Sequence, residues 1–370
     1  MNRGVRRACV AAGALLAFAA LVWLLVQHFD PARVAYKRLK AGDRYLYEEV
    51  DPKILATDPA SLIAPASVLD PKAQRQRLID LVWGSDGFPS TLRPQMVEPA
   101  AGNGDLGLPD EDIRVDRLTL TMDHGLSSVF DLMYAPQPRH RLVIYHHGFG
   151  APISQSAPLF RALLAAGFDV MAFDLLGRAR NAGLARLASD DRFYNVMSEP
   201  SAFDRPLRFH IEPVIAGLNE ALATRGYRSV DMAGLSMGGF MTVLAAAVDP
   251  RIARSYPIAG DLPLYMRRGQ EVLPDLVPYY PPLNAAFSRL DLYLLGASGR
   301  GRGQLQIFNR YDRCCYNGPR GTVYAAAVAQ AVAATPDGGR FAVLLDETHA
   351  DHRISKFTIA AILSDLEVER

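Results

Sequence analysis

A chain of 370 residues that is 49% hydrophobic and 21% charged can bury a large core and is too apolar for general disorder. Forty Lys and Arg against thirty-nine Asp and Glu leave a net charge near +1, with no basic excess for a nucleic-acid partner. Three cysteines exclude a disulfide framework, and no Cys-x-x-Cys or His-rich metal spacing occurs.

Ala8 to Val26 is a run of nineteen residues without a charge. About twenty apolar residues cross a bilayer as a helix. Arg3, Arg6 and Arg7 precede the run and predict a cytoplasmic N-terminus, with the rest of the chain on the extracytoplasmic, periplasmic side. Trp23 stands near the far end, where interfacial aromatics gather. Residues 1–29 are therefore expected to be a transmembrane signal-anchor. A cleaved signal peptide followed by secretion is the alternative, through the small-x-small string Ala17-Phe18-Ala19. Against it, LVWLLV follows, an apolar start for a mature chain. Arg6-Arg7 alone is a weak signal for twin-arginine export. A buried core helix would keep a polar face, which this run lacks.

Residues 30–110 read as an extension of helices and loops with no visible chemistry. Asp30-Pro31 predicts a short helix, with Asp30 as N-cap and Pro31 at its first position. Gln74 to Trp83 has helical periodicity. Residues 111–370 have a different texture. IRVDRLTLTM alternates apolar and polar, as a half-buried strand does, and SSVFDLMYAP follows as a second strand. RLVIYHH, FDVMAF, SVDMAG, RSYPIA, LQIFN and FAVLL are short apolar bursts separated by helical stretches. That alternation predicts an α/β fold, a mostly parallel sheet with helices on both faces. Gly167 and Gly226 stand just past two helix ends. Residues 261–303 interrupt the rhythm with Pro263, Pro274, Pro278, Pro281 and Pro282 among Tyr265, Tyr279, Tyr280, Phe287 and Tyr293. So long a segment between strands predicts a lid or cap lining a substrate pocket, rather than an excursion packing its own aromatics.

Gly234-Leu235-Ser236-Met237-Gly238 carries the strongest chemical signal, with a strand running in and a helix running out. A serine hydroxyl is a poor nucleophile unless it is exposed beside a base. A sharp strand-to-helix turn lifts it above the sheet edge, and the glycines admit the crowded backbone. The helix start adds amide donors and partial positive charge near the reacting oxygen.

With this motif in that setting, residues 113–370 resemble the α/β-hydrolase superfamily, serine esterase-like and of a bacterial membrane-anchored type. Gly234 to Gly238 matches its nucleophile elbow residue by residue. The resemblance implies Ser236 as nucleophile and the Met237 amide as one oxyanion donor. His146-His147-Gly148-Phe149-Gly150 resembles the family's His-Gly loop, which implies the Phe149 amide as the second donor and a structural role for His147. The metal reading of His146 and His147 is poor, because no third ligand stands at a fitting spacing. Asp312, three residues past LQIFN, stands where relatives carry the catalytic acid, and the order Ser, Asp, His is kept. Relatives often have Gly where Asn309 stands, and Asn is the next best residue for a left-handed turn.

The base is His352 or His349. His349 has the more usual reach from the strand. His352 lies in an Ala-Asp-His string shared with some relatives, three residues before a candidate N-cap, Ser355. The reading leans to His352. Asp346 and Asp351 share the histidines' own loop and are poorer candidates than Asp312 for the catalytic acid. Asp174 and His210 are expected to be structural. Cys314 and Cys315 are either two small packed residues or a vicinal disulfide, which needs an oxidising compartment. No cofactor or metal is implied.

The activity expected is hydrolysis of carboxylic esters of small molecules, lipid or other acyl esters included, through an acyl-enzyme. Acyl transfer or thioester cleavage would use the same site. A non-catalytic, membrane-tethered interaction module is the alternative of another class; such relatives usually lose at least one part of this machinery, and here serine, acid, histidine and oxyanion loop all stand in place. A dienelactone-type hydrolase would want Cys at the elbow.

Overall fold

The computed structural model describes residues 3–108, 113–187, 192–273 and 276–367. Strands in chain order are β1 (Met96–Glu98), β2 (Val115–Thr121), β3 (Ser127–Met133), β4 (Arg141–His146), β5 (Asp169–Phe173), β6 (Leu184–Arg186) and β7 (Phe193–Asn195). They continue with β8 (Ser229–Leu235), β9 (Ile252–Ile258), β10 (Gly303–Asn309) and β11 (Arg340–Asp346). Nine of these form one sheet in the order β1-β2-β3-β5-β4-β8-β9-β10-β11, and β6 and β7 make a separate hairpin pair. From β5 to β11 every pairing is parallel, while β1, β2 and β3 join antiparallel at one edge.

Strand side chains alternate between two faces, and both faces here are covered. In β4, Leu142 and Ile144 join one core with helices Leu207–Arg225, Met237–Val248 and Arg289–Ala297. Val143 and Tyr145 join the other core with helices Ala157–Ala165 and Lys356–Glu367. This doubly covered parallel sheet explains the apolar bursts of the sequence. Gly226 ends its helix in the left-handed conformation, where a side chain would be strained.

Three elements differ from the sequence reading. The extension is built into the molecule: Leu78, Val82 and Trp83 of helix Pro71–Trp83 are buried in the main core, and β1 adds an edge strand. Within 261–303, helix Arg289–Ala297 is buried along its length and forms the crossover from β9 to β10, so it cannot be a lid. Short turns and helix Pro281–Ala286 precede it, and Pro274 lies outside the described residues. Helix Asp30–Lys40 has Phe29 at its N-cap position, with no side-chain cap, and begins at Asp30, whose carboxylate pairs with Arg353.

The N-terminal helix, Arg3–His28, includes a span from Val10 to His28 that is long and apolar enough to cross a membrane. Its Leu15, Leu16, Phe18, Trp23 and Leu24 are exposed.

Candidate active site

Strand register brings the predicted residues to one edge of the sheet. His146 pairs with Gly234 at the ends of β4 and β8, and Asn309 pairs with Asp346 at the ends of β10 and β11. The loops that follow these carboxyl ends carry Phe149, Ser236, Asp312 and His352. Open parallel sheets place their ligands at this edge.

Ser236 links β8 to helix Met237–Val248 with φ 59° and ψ −123°, a conformation L-residues rarely adopt. Holding it there costs roughly 1–3 kcal/mol, which the surrounding structure must offset. The offset comes from both sides. The Ser236 amide donates to Ile258 O (2.9 Å), and Ser236 O accepts from the Gly239 amide (2.8 Å). The glycines permit contact of backbone with backbone. A Cβ on Gly238 would lie 2.0 Å from His146 O, and one on Gly148 would lie 2.7 Å from the Ser236 Cβ. Gly238→Ala is therefore expected to destabilise the fold by about 3 kcal/mol, the upper end for overpacking. Urea unfolding of the two proteins would check it.

The Phe149 loop is fixed by His147. Its Nε2 donates to Ala151 O (2.9 Å), and its Nδ1 accepts from the Tyr145 hydroxyl (2.8 Å), which also contacts Ser156 Oγ (2.6 Å). Burial holds the His147 pKa below its usual value, so this neutral arrangement is the favoured one. Phe149 itself is 37% exposed. Met237 is the first residue of its helix, where an amide lacks an intrahelical acceptor.

Asp312 is buried. Its Oδ2 lies 2.6 Å from His352 Nδ1, and its Oδ1 accepts from the Cys314 amide (2.7 Å). With Nδ1 donating to the carboxylate, Nε2 is left as the proton acceptor. That Nε2 meets no hydrogen-bond partner among the described residues. His349 is not brought to Asp312. It is buried with Nε2 3.3 Å from Asp346 Oδ2, and its Nδ1 accepts from the Asp351 amide (3.2 Å).

Asp346 is the hub of the histidine loop. Burial alone would raise its pKa, but His349, Ser355 and Thr348 beside it hold the carboxyl well below the usual range. Thr348 Oγ1 (2.7 Å), Thr358 Oγ1 (2.9 Å) and Ser355 Oγ all donate to it. Ser355 also caps the last helix, accepting from the Thr358 amide (3.1 Å).

Asn309 does a job the sequence did not reveal. It is not left-handed. It ends β10 and donates from Nδ2 to Arg353 O (2.9 Å), tying the acid's strand to the histidine's loop. A polar residue at a strand end, beside a chemically loaded loop, was the available signal. Cys314 and Cys315 form a vicinal disulfide on the acid loop, and Cys315 Sγ lies 4.0 Å from His352 Nδ1. These three are the group among the described residues close enough to share a metal ion. The sulfurs are bonded to each other and the imidazole to Asp312, so they offer no set of free donors.

His146 and His210 are buried, and burial lowers each to a pKa of about 4. His146 Nδ1 donates to His147 O (2.9 Å) and its ring stacks on Phe173. Unfolded, each histidine titrates near 6.5. Between about pH 6.5 and 4 the unfolded chain thus binds more protons, and stability falls as pH falls. Each histidine contributes on the order of 3 kcal/mol, fully present above pH 6.5 and lost towards pH 4. Unfolding free energies measured across this range are expected to show that slope, and His210→Phe should reduce it.

The sheet order, the elbow and the loops at the carboxyl edge define an α/β-hydrolase fold. A family model described as alpha/beta hydrolase fold matches residues 141–281. Among solved structures, acetyl xylan esterase 1 from Thermoanaerobacterium sp. JW/SL YS485 aligns at 15% identity with a TM-score of 0.54, covering 87% of this chain and 99% of that one. The acetyl xylan esterase from Paenibacillus sp. R4 aligns at 15% identity and 0.54, covering 84% and 98%. Methylesterase BT1017 aligns at 16% and 0.52, covering 90% and 66%. No curated protein sequence matches the chain. The chain has the α/β-hydrolase fold, and residues 141–281 match that family model.

Proposed function

We propose that this protein is a membrane-anchored serine hydrolase that cleaves carboxylic esters through an acyl-enzyme on Ser236. The observation that carries the reading is the Asp312–His352 pair, 2.6 Å apart, on loops at the same carboxyl edge of the sheet as a serine held at φ 59°. In the proposed reaction Ser236 Oγ attacks the ester carbonyl carbon and its proton passes to His352 Nε2. Asp312 holds the Nδ1–H tautomer and stabilises the imidazolium. The amides of Phe149 and Met237 donate to the oxyanion, an interaction worth ~3–4 kcal/mol per donor at such sites. Collapse breaks the bond to the alkoxy oxygen, which leaves as the alcohol with the proton from His352. Water, deprotonated by the same nitrogen, then attacks the acyl carbon and restores Ser236.

The ester preference is supported by the esterases among the structural neighbours. The anchor is supported by the exposed apolar helix and by Arg3, Arg6 and Arg7, which set the catalytic part outside the cytoplasm. The test is covalent labelling with a fluorophosphonate probe. Labelling of the wild type and its loss in Ser236→Ala support the reading, and a folded wild type that takes no label overturns it.

A further inference from the structure

The residues that follow the apolar helix are clamped onto the loop that carries His352. Arg33 donates from Nε to Val26 O (3.0 Å) and from its terminal nitrogens to Gln27 O and to the Asp351 carboxylate. One guanidinium thus touches the last turn of the apolar helix and the residue next to His352. Asp30 pairs with Arg353 Nη2 (2.7 Å), on the other side of the same histidine. A little further on, Tyr47 packs edge-on against Tyr311 beside Asp312, with ring centroids 5.7 Å apart and Ala350 buried in the same cluster. The extension therefore grips the acid and histidine loops together.

These contacts fix where the histidine loop sits relative to the apolar helix. The helix from Val10 to His28 is apolar along its length and has no face buried in protein. Exposed Leu and Phe side chains all round it need an apolar surrounding, and its length matches a bilayer. In a bilayer crossed by this span, the last turn would lie at the headgroups, together with the Arg33 guanidinium that caps it. Exposed Phe29 and Tyr36 follow directly, as aromatics do at that depth. His352 is one residue from Arg33's partner. The oxyanion loop at the same sheet edge presents the partly exposed Phe149. Nothing long or flexible separates anchor from site.

We propose that the site works at the membrane surface and takes acyl esters of bilayer amphiphiles, with a polar head at the interface and a hydrocarbon chain in the membrane. This rests on the esterase reading above and adds the source of the substrate. A tether that only retained the enzyme would need a flexible linker. Here the span is docked against the catalytic loops through Arg33.

The test uses the full chain in phosphatidylcholine vesicles. A fluorogenic long-chain monoacylglycerol analogue is placed either in the same vesicles or in separate ones, and p-nitrophenyl acetate serves as the water-soluble ester. A variant carries a Gly-Ser spacer of about 20 residues between His28 and Phe29, with an r.m.s. span of roughly 25 Å. The spacer leaves Asp30, Arg33 and the proposed catalytic groups in place. The expected result is hydrolysis in the same vesicles about tenfold or more above that in separate ones, a ratio of ~1.4 kcal/mol. The spacer should reduce the same-vesicle rate and leave acetate hydrolysis unchanged. Acetate hydrolysis without cleavage of the embedded ester, or a spacer variant equal to the wild type on that ester, would overturn the interfacial proposal and leave the esterase reading intact. If neither ester is cleaved and Ser236 takes no fluorophosphonate, both readings fall.

Discussion

Ser236→Ala is expected to lower kcat on a chromogenic ester by about 10⁴–10⁶, as loss of the nucleophile does in comparable sites. The residue sits at φ 59° between β8 and helix Met237–Val248, and alanine meets the same backbone demand as serine. Both residues carry a Cβ and neither has the freedom of glycine. The substitution removes one hydroxyl and no packing volume of consequence, so stability should stay within about 1 kcal/mol. Low activity with an unchanged unfolding midpoint is therefore the signature of lost chemistry rather than lost structure. Any residual rate would come from substrate binding and the oxyanion donors, which the substitution leaves in place. Retained fluorophosphonate labelling in the variant would move the nucleophile elsewhere.

The parts of the fold that were legible in the sequence share one property: their cause leaves a mark on a short run of consecutive residues. The elbow glycines are required by contacts that exclude a Cβ, and the parallel strands show as apolar bursts because both sheet faces are covered. Helix Arg289–Ala297 was hidden by the opposite circumstance. It is buried on all sides, so its sequence has no polar stripe, and the prolines before it suggested a lid. Its capping box was nonetheless available: Ser288 Oγ accepts from the Asp291 amide (3.0 Å) and Asp291 accepts from the Ser288 amide (3.0 Å). The clamp formed by Asp30 and Arg33 was out of reach, since their partners Arg353 and Asp351 lie more than 300 residues away in the chain. The two histidines could not be separated from sequence because their spacing from β11 suits either. What distinguishes their surroundings is Asp346, whose bonds to Thr348, Ser355 and Thr358 turn the loop so that His349 faces inward.

That difference makes the second expected result a contrast between neighbours. His352→Ala should lower kcat by about 10⁴–10⁶, similar to loss of the serine, because the two act as one unit. Its side chain is partly exposed, and Asp312 keeps the Cys314 amide as a donor, so the fold should survive. His349→Ala should do the reverse. It empties a fully buried position and takes a partner from the Asp346 carboxylate, which predicts a loss of about 2–3 kcal/mol of stability. Activity per folded molecule should remain within about tenfold, since a shift of the loop worth ~1.4 kcal/mol of transition-state stabilisation has that effect. The measurement is kcat alongside the urea midpoint for both variants, with added imidazole as a further readout. A free imidazole can fill the space left by His352 and accept the serine proton, so partial rescue is expected for His352→Ala and none for His349→Ala. A kinetic collapse in His349→Ala at unchanged stability would reverse the assignment, and would require Asp346 rather than Asp312 to orient the base.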